Sequence, residues 1–428
     1  MQSNDHLLSN EVTRPMFPWR PAKGLLSYGC AFTELLHTNL TRMRKERVFV
    51  VVSKSLAEST NELNRLKECL GTRLVGVKIG FPSHPPFEDV LKLSGDIQRA
   101  DADAVVTLGG GSIIDAVKLV AFSIANGVHD FDSLEGLSKA TAYTMETEND
   151  FANYTDCPDI KPAALTKISI PTTLSAGEYS PYAGAVDPRD SVKKLFIHQS
   201  LICDVVILDP ELTKTVPEWV WMSSGVRSID HCVELLSSLR QYETQTEESA
   251  KMGLVMVARG LLKLRLNPQD IESRLETQIG SNYAMDGISL SRGIHLGASH
   301  AIGHQLGTMN VAHGHTSCIL SPAVMKYNAS ANSHRQKRAL DTLWGDPYIQ
   351  DVLERCGLIH SQSDLGDTLH ELFRELGVPR TLKDVGVSGE QQLQTLAQRS
   401  LEDPWCRTNP ISLTRPEQVM EILRKVEG

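Results

Sequence analysis

The sequence predicts an α/β protein in two parts: a doubly wound parallel sheet of Rossmann-like character, then an all-α C-terminal half. Three observations carry this. Up to about residue 210, short β-branched runs alternate with helical segments of about 10 to 17 residues, the signature of parallel strands joined by crossover helices. One run passes into a helix through three glycines, "TLGGGSIIDAVK" at 107–118. From about residue 211 apolar residues recur at helical spacing and no convincing strand follows. A chain of 428 residues is also too long for one ordinary core, so two domains are the default.

In order, residues 1–22 read as an irregular arm, 23–210 as a nucleotide-binding α/β domain and 211–428 as a helical domain that carries the substrate chemistry. "RVFVVVS" (47–53) is a buried strand, and 55–71 is a helix that stops at Gly71. "LVGVKIG" (74–80) is a strand and 87–100 a helix. "DAVVTLGGGSIIDAVKLVAFSIA" is strand, turn and helix, while "KISIPTT" and "VVILDP" are strands. The polar segment 139–160 reads as a surface excursion. Helices follow at 219–240, 246–265, 270–292, 295–306, 315–332, 349–357, 362–376, 389–400 and 415–427.

A formal charge of −9 argues against nucleic-acid or anionic-membrane partners. The N-terminus lacks a basic stretch followed by an apolar one, and runs such as "VFVVV" are too short to span a bilayer. The eight cysteines are scattered singly, which suits reduced thiols in a cytoplasmic protein. Cys232 and Cys318, near the histidine motifs, read as small buried hydrophobes.

Three motifs carry chemistry. Gly109, Gly110, Gly111 and Ser112 stand between strand and helix, where backbone amides can face a phosphate and Ser112 can cap the helix or touch the same anion. A plain tight turn is the alternative. In "SSGVRSIDHCVELLSSL", Arg227 and His231 are one turn apart on one helix face, with Asp230 rotated by about 100° to pair with Arg227 or face outward. The plainer reading is a surface ion pair and a packed histidine. "HLGASHAIGHQLGTMNVAHGH" (295–315) holds His295, His300, His304, His313 and His315. Spacing permits a metal site from His231, His300 and His313 with a fourth ligand, and equally a metal-free polar pocket.

Together "LGGGSIIDAVK", "IPTTLSAGEYSPYAG", "VVILDPELTKTVPEWVWMSSGVRSIDHCVE" and "SHAIGHQLGTMNVAHGHTSCILSPAVMKYN" resemble, in content and order, the iron-containing alcohol dehydrogenase superfamily. Within it the chain looks most like the maleylacetate reductase branch, through "PTTLSAGEYSP", "FPSHPPFEDV" with His84, and the tail "LEDPWCRTNPISLT". The resemblance spans about residues 22–428 and implies the architecture shared by dehydroquinate synthases and iron-type alcohol dehydrogenases, a homodimer, and NAD or NADP between the domains. It places the pyrophosphate on Gly109, Gly110, Gly111 and Ser112, the nicotinamide beside Thr172 and Thr173, and Lys194 at the ribose. Ser53 followed by Lys54 stands where many NAD-preferring members carry an Asp, which leaves NADP open.

The sequence also departs from the pattern. The residue four before His231, an Asp ligand in metal-dependent members and usually Asn in the branch, is Arg227, which cannot ligate a metal. The branch's Cys-His reads Gly303-His304, and the place of its later histidine is Ser317. The expectation is a metal-independent, NAD(P)H-dependent reductase of an enone or keto acid, with a small anionic substrate. Arg227 would clamp an oxygen while His231, His300, His304 and His313 supply protons and polar contacts. The alternative from these residues is a non-redox biosynthetic enzyme, an isomerase, cyclase, lyase or dehydratase using the same Arg/His pocket.

Overall fold

The computed structural model describes residues 11–17, 24–82, 85–141, 159–190, 192–290 and 296–428. The chain forms two compact units, Met1–Val216 and Pro217–Gly428.

The first unit holds β1 (Val12–Pro15), β2 (Leu25–Tyr28), α1 (Phe32–Met43), β3 (Val48–Val52), α2 (Lys54–Ser59), α3 (Glu62–Leu70), β4 (Leu74–Ile79), α4 (Phe87–Arg99), β5 (Ala104–Gly109), α5 (Gly111–Ala125), α6 (Phe131–Thr141), β6 (Thr166–Pro171), β7 (Tyr182–Asp187), β8 (Val192–Ile197) and β9 (Val205–Ile207). A seven-stranded sheet runs in the order β1-β2-β9-β6-β5-β3-β4. Its neighbours are parallel except for antiparallel β1 and β2. The doubly wound sheet is therefore present. Residues of β3 and β5 are buried throughout, as fits strands covered by helices on both faces. Phe32, Leu35 and Leu36 of α1 and Leu63 and Leu66 of α3 pack with Val48, Val50, Val106 and Ile168 in one core.

Several expectations change here. Val12–Pro15 is an edge strand rather than irregular arm, because it pairs with β2. Residues 1–10 and 18–23 lie outside the described residues, as do 142–158 of the expected excursion, while 139–141 close α6. The single helix expected over 55–71 is two, α2 and α3. Thr60 turns extended at the break, and its hydroxyl accepts from the Glu62 amide to start the second helix. Unexpected are β1, β2, α1, α6 and the β7–β8 hairpin.

The second unit is helical: α7 (Glu218–Ser237), α8 (Thr244–Leu266), α9 (Ile271–Leu290), α10 (Ala298–Gly307), α11 (His313–Trp344), α12 (Pro347–Arg355), α13 (Leu365–Glu375), α14 (Glu390–Ser400), α15 (Trp405–Thr408) and α16 (Pro416–Arg424). Among the described residues it has no strand. Its axis is α7, buried continuously from Trp221 to Ser237. The expected helix 315–332 runs on to Trp344 through a break at Asn332, whose side-chain amide donates to the Ser237 carbonyl at 2.7 Å. A side chain inserted into backbone hydrogen bonding is a recognised cause of a kink.

Candidate active site

In the first unit the parallel register brings the expected nucleotide residues to one sheet edge. Val52 stands opposite Leu108, and Leu108 opposite Ile170, so the residues that follow each strand emerge side by side. Ser53 donates its amide to the Leu108 carbonyl, and Thr172 donates its amide to Gly109. Gly109 has φ +147°, and a Cβ there would fall 2.9 Å from both Ser53 Cβ and Ile113 Cδ1, so only glycine fits. A Cβ on Gly110 would fall 3.0 Å from the Thr173 methyl, whereas one on Gly111 would meet only Ser175, at 3.9 Å. Helix α5 starts at Gly111 with no side-chain cap among the described residues, so its first amides are available to an anion. Ser112 is the second helical residue.

Lys54, largely exposed, lies 3.9 Å from Glu58. Lys194 is elsewhere, on β8, with its ammonium on Asp190. His84 lies outside the described residues.

Below the turn, Lys118 of α5 is fully buried and donates to the Gly177 carbonyl at 2.7 Å and to that of Tyr182. Beside it Glu178 is buried, and its carboxyl is raised to about 7. Burial is the main cause and Asp115 adds to it, while the residue's own amide and Lys118 oppose it.

In the second unit α7 puts Arg227, Asp230, His231 and Glu234 on one face, at spacings of three and four. Arg227 is 2% exposed and Asp230 0%, which rules out the surface ion pair. The guanidinium Nη1 donates to Ser317 Oγ at 2.8 Å, and Ser317 Oγ donates to Asp230 Oδ2 at 2.7 Å. Ser299 Oγ donates to the same carboxylate oxygen at 2.7 Å. The bridge to Asp230 therefore passes through a hydroxyl, and Asp230 does not face outward.

Glu234 anchors the start of α10. Its carboxylate accepts the amides of Gly297 and Ser299, both at 2.9 Å, and lies 2.7 Å from His300 Nδ1. Asn409 accepts the Ala298 amide. These contacts fix the helix that carries His300 and His304. His231 and His300 stack with ring centroids 4.8 Å apart. His304, partly exposed, has Nδ1 2.8 Å from Asp403 Oδ2 and its ring against Trp405. His313 is exposed at the first residue of α11, and His315 turns to Trp219 instead. His295 lies outside the described residues.

Burial governs the charges here. It holds His231 and His300 well below the usual imidazole range, helped by the Arg227 charge, so both rings are neutral. It pulls Arg227 down, opposed by Asp230 and Glu234. Burial raises Asp230 against the pull of Arg227, and raises Glu234 further, with Asp230 adding to the effect. Three nitrogens, Arg227 Nε, His231 Nδ1 and His300 Nε2, are buried with no hydrogen-bond partner. Such atoms are rare in a finished protein interior and mark a place for a ligand or water.

Sequence reasoning found Arg227 and the histidines of this cluster. It did not find Glu234, Ser299, Ser317, Asp403 or Asn409 as their supports. A signal existed for Glu234, an acid three residues after His231 and so on the same helix face as Arg227 and Asp230. For Asp403 and Asn409, far along the chain, only the fold could supply it.

Two family signatures match this chain: "Iron-containing alcohol dehydrogenase" over residues 26–210, and the C-terminal part of the same family over 221–426. The chain belongs to the iron-containing alcohol dehydrogenase family. It is accordingly an oxidoreductase. The dehydrogenase ALT3 of Alternaria alternata is 36% identical over 402 residues, covering 89% of this chain and 99% of that one. Among solved structures, the maleylacetate reductase of Rhizobium sp. strain MTP-10005 has a TM-score of 0.71 at 22% identity, covering 96% of this chain and 97% of that one. Sulfoacetaldehyde reductase of Bifidobacterium kashiwanohense, solved in complex with NAD+, has a TM-score of 0.74 at 20% identity, covering 95% and 97%. At these identities the two structures speak for the fold, which is that of the iron-containing alcohol dehydrogenases.

Two predictions follow the geometry of the first unit. A Gly111→Val variant should fold with a melting temperature close to the parent's, because a Cβ there would meet only Ser175, at an ordinary contact distance of 3.9 Å. It should weaken NADH and NADPH binding by about tenfold or more by blocking the amides of the α5 N-terminus. Fluorescence titration checks this, and undiminished affinity for both would remove the phosphate from the turn. The second concerns Glu178. A folded-state value of about 7 lies above the ordinary 4.5, so the folded chain holds this proton more tightly than the unfolded chain. Folding stability from this group is therefore intact below pH 4.5 and is lost as pH rises to about 7. Glu178→Gln should gain on the parent across that window, by up to about 3 kcal/mol on the alkaline side. Denaturant midpoints at acid and alkaline pH test it, and a pH-independent difference would contradict it.

Proposed function

We propose that this oxidoreductase is an NAD(P)H-dependent reductase of a small enone or keto acid, and that it works without a metal. One observation carries the reading: Arg227, a fixed cation, is buried among neutral imidazoles with its Nε unpartnered.

The nucleotide fits the first unit. Gly110, Gly111 and Ser112 would hold its pyrophosphate at the uncapped start of α5, and Thr172 and Thr173 would line the nicotinamide. Ser53 and Lys54 stand at the end of β3, where an exposed ammonium suits a ribose phosphate as well as a ribose. Lys194 would have to leave Asp190 to reach a ribose. Once bound, the nicotinamide supplies or accepts a hydride.

A divalent cation does not fit the second unit. The donor atoms that cluster within 4.8 Å belong to Asp230, Glu234 and His300. Asp230 Oδ2 is taken by two serines, Glu234 by two backbone amides and His300 Nδ1 by Glu234, which leaves only Asp230 Oδ1 and His300 Nε2 open, too few protein ligands for a closed site. Arg227 adds a positive charge on the same helix face, and it would repel a cation in this dry setting. The fixed guanidinium instead takes the part of electrophile. It stabilises the negative charge that develops on a carbonyl or enolate oxygen, and it suits a substrate carboxylate equally. His300 presents Nε2, its other nitrogen held by Glu234. His304, on Asp403 and partly exposed, is placed to exchange protons with solvent.

Arg227→Ala should cost about 2–4 kcal/mol in kcat/KM, the scale of losing one preorganised donor, and Arg227→Lys should recover little of it. The parent enzyme should keep its activity after chelation and show no stoichiometric iron or zinc by elemental analysis. A variant within twofold of the parent would retire the electrophile. One metal per chain, lost together with activity, would retire the metal-free mechanism. Failure to bind NADH or NADPH would move the chain to the non-redox class.

A further inference from the structure

Three departures from the branch pattern, Arg227, Gly303 and Ser317, lie far apart in sequence and meet at one point inside the second unit. A Cβ on Gly303 would fall 2.9 Å from Thr316 Oγ1, 3.2 Å from Thr316 Cβ and 3.5 Å from Arg227 Nη1. Thr316 has no easy way to yield. It is fully buried, and its hydroxyl donates to the His313 carbonyl at 2.8 Å while lying 3.5 Å from Arg227 Nη1. Ser317, next on the same helix, accepts from that Nη1 at 2.8 Å and passes the contact on to Asp230. The far end of the guanidinium is thus committed to α11, while Nε has no partner.

We propose that Gly303 and Ser317 are positioning residues for Arg227: the absent side chain at 303 leaves the room that Thr316 needs to stand beside the guanidinium, which keeps the start of α11 and its Ser317 in place, and the Ser317 hydroxyl holds Nη1 so that the Nε edge meets the substrate oxygen. This rests on the reading of Arg227 as the group that binds that oxygen. A long aliphatic side chain with several rotatable bonds needs such fixing, because a donor displaced by a fraction of an ångström loses much of its value in a transition state. The Nη1 tether would also make lysine a poor substitute. One ammonium cannot hold Ser317 and offer a planar second edge.

The experiment is a double-mutant cycle joined to crystallography. Gly303→Ala and Ser317→Ala should each lower kcat/KM by about 10- to 100-fold in the parent, below or near the loss of a whole donor. In an Arg227→Ala background each should change it by less than about twofold, because coupled residues do not add. Crystals of Gly303→Ala should show the guanidinium away from Ser317 Oγ. If Gly303→Ala fails to fold, Ser317→Ala alone carries the cycle, since it removes only a hydroxyl. Equal losses in both backgrounds would overturn the proposal and point to a displaced α10. So would a guanidinium unmoved by Gly303→Ala. Should Arg227→Ala itself prove fully active, the proposed function falls, and the crystal structure still decides the positioning.

Discussion

A guanidinium buried in the helical unit is the constraint around which the rest of that unit is arranged. Arg227 cannot shed its charge, so the fold must balance it and satisfy its donors. Asp230 supplies the opposite charge and Ser317 transmits it. Ser299 gives Asp230 a second donor, and its amide helps Glu234 to seat α10. Removal of any one member leaves a buried charge or donor exposed to nothing, which costs more than the intact network contributes. This explains why so many small hydroxylated residues gather at one helix crossing. Burial keeps the two nearby imidazoles neutral and the guanidinium adds to it, since a ring that took a proton here would stand beside a permanent cation.

The two units differ in how openly the sequence displays them. In the first, β3, β5 and β6 were legible because central parallel strands are buried on both faces and must read as apolar runs. The edge strands β1 and β2 were not, since four residues carry too little pattern. Helix α1 escaped because its buried face includes Asn39, satisfied by Ser27 Oγ and the Leu35 carbonyl, and so it looks polar in sequence. In the second unit helical spacing gave nearly every helix. The kink that divides α11 falls at Asn332, which reaches Ser237, a contact with no local signature.

The candidate site divides along the same line. Residues with unusual side chains, Arg227 and the histidines, declared themselves through spacing and through their places in the family pattern. The residues that hold them did not, because their chemistry is ordinary. A serine or a glycine acquires its role only from what the fold sets against it. Gly303 is the extreme case, since what it contributes is the volume it leaves unfilled.

That volume bears on how the site could change. An aspartate at position 227 is shorter than the arginine, and it would leave the room beside Gly303 empty and Ser317 without its donor. It would also stand near Asp230, a second buried acid whose counter-charge had just been removed. Substituting Arg227 alone therefore leaves Ser317 and the space at Gly303 fitted to a side chain that is gone. The guanidinium and its three supports are thus best understood as one unit, each shaped to the others.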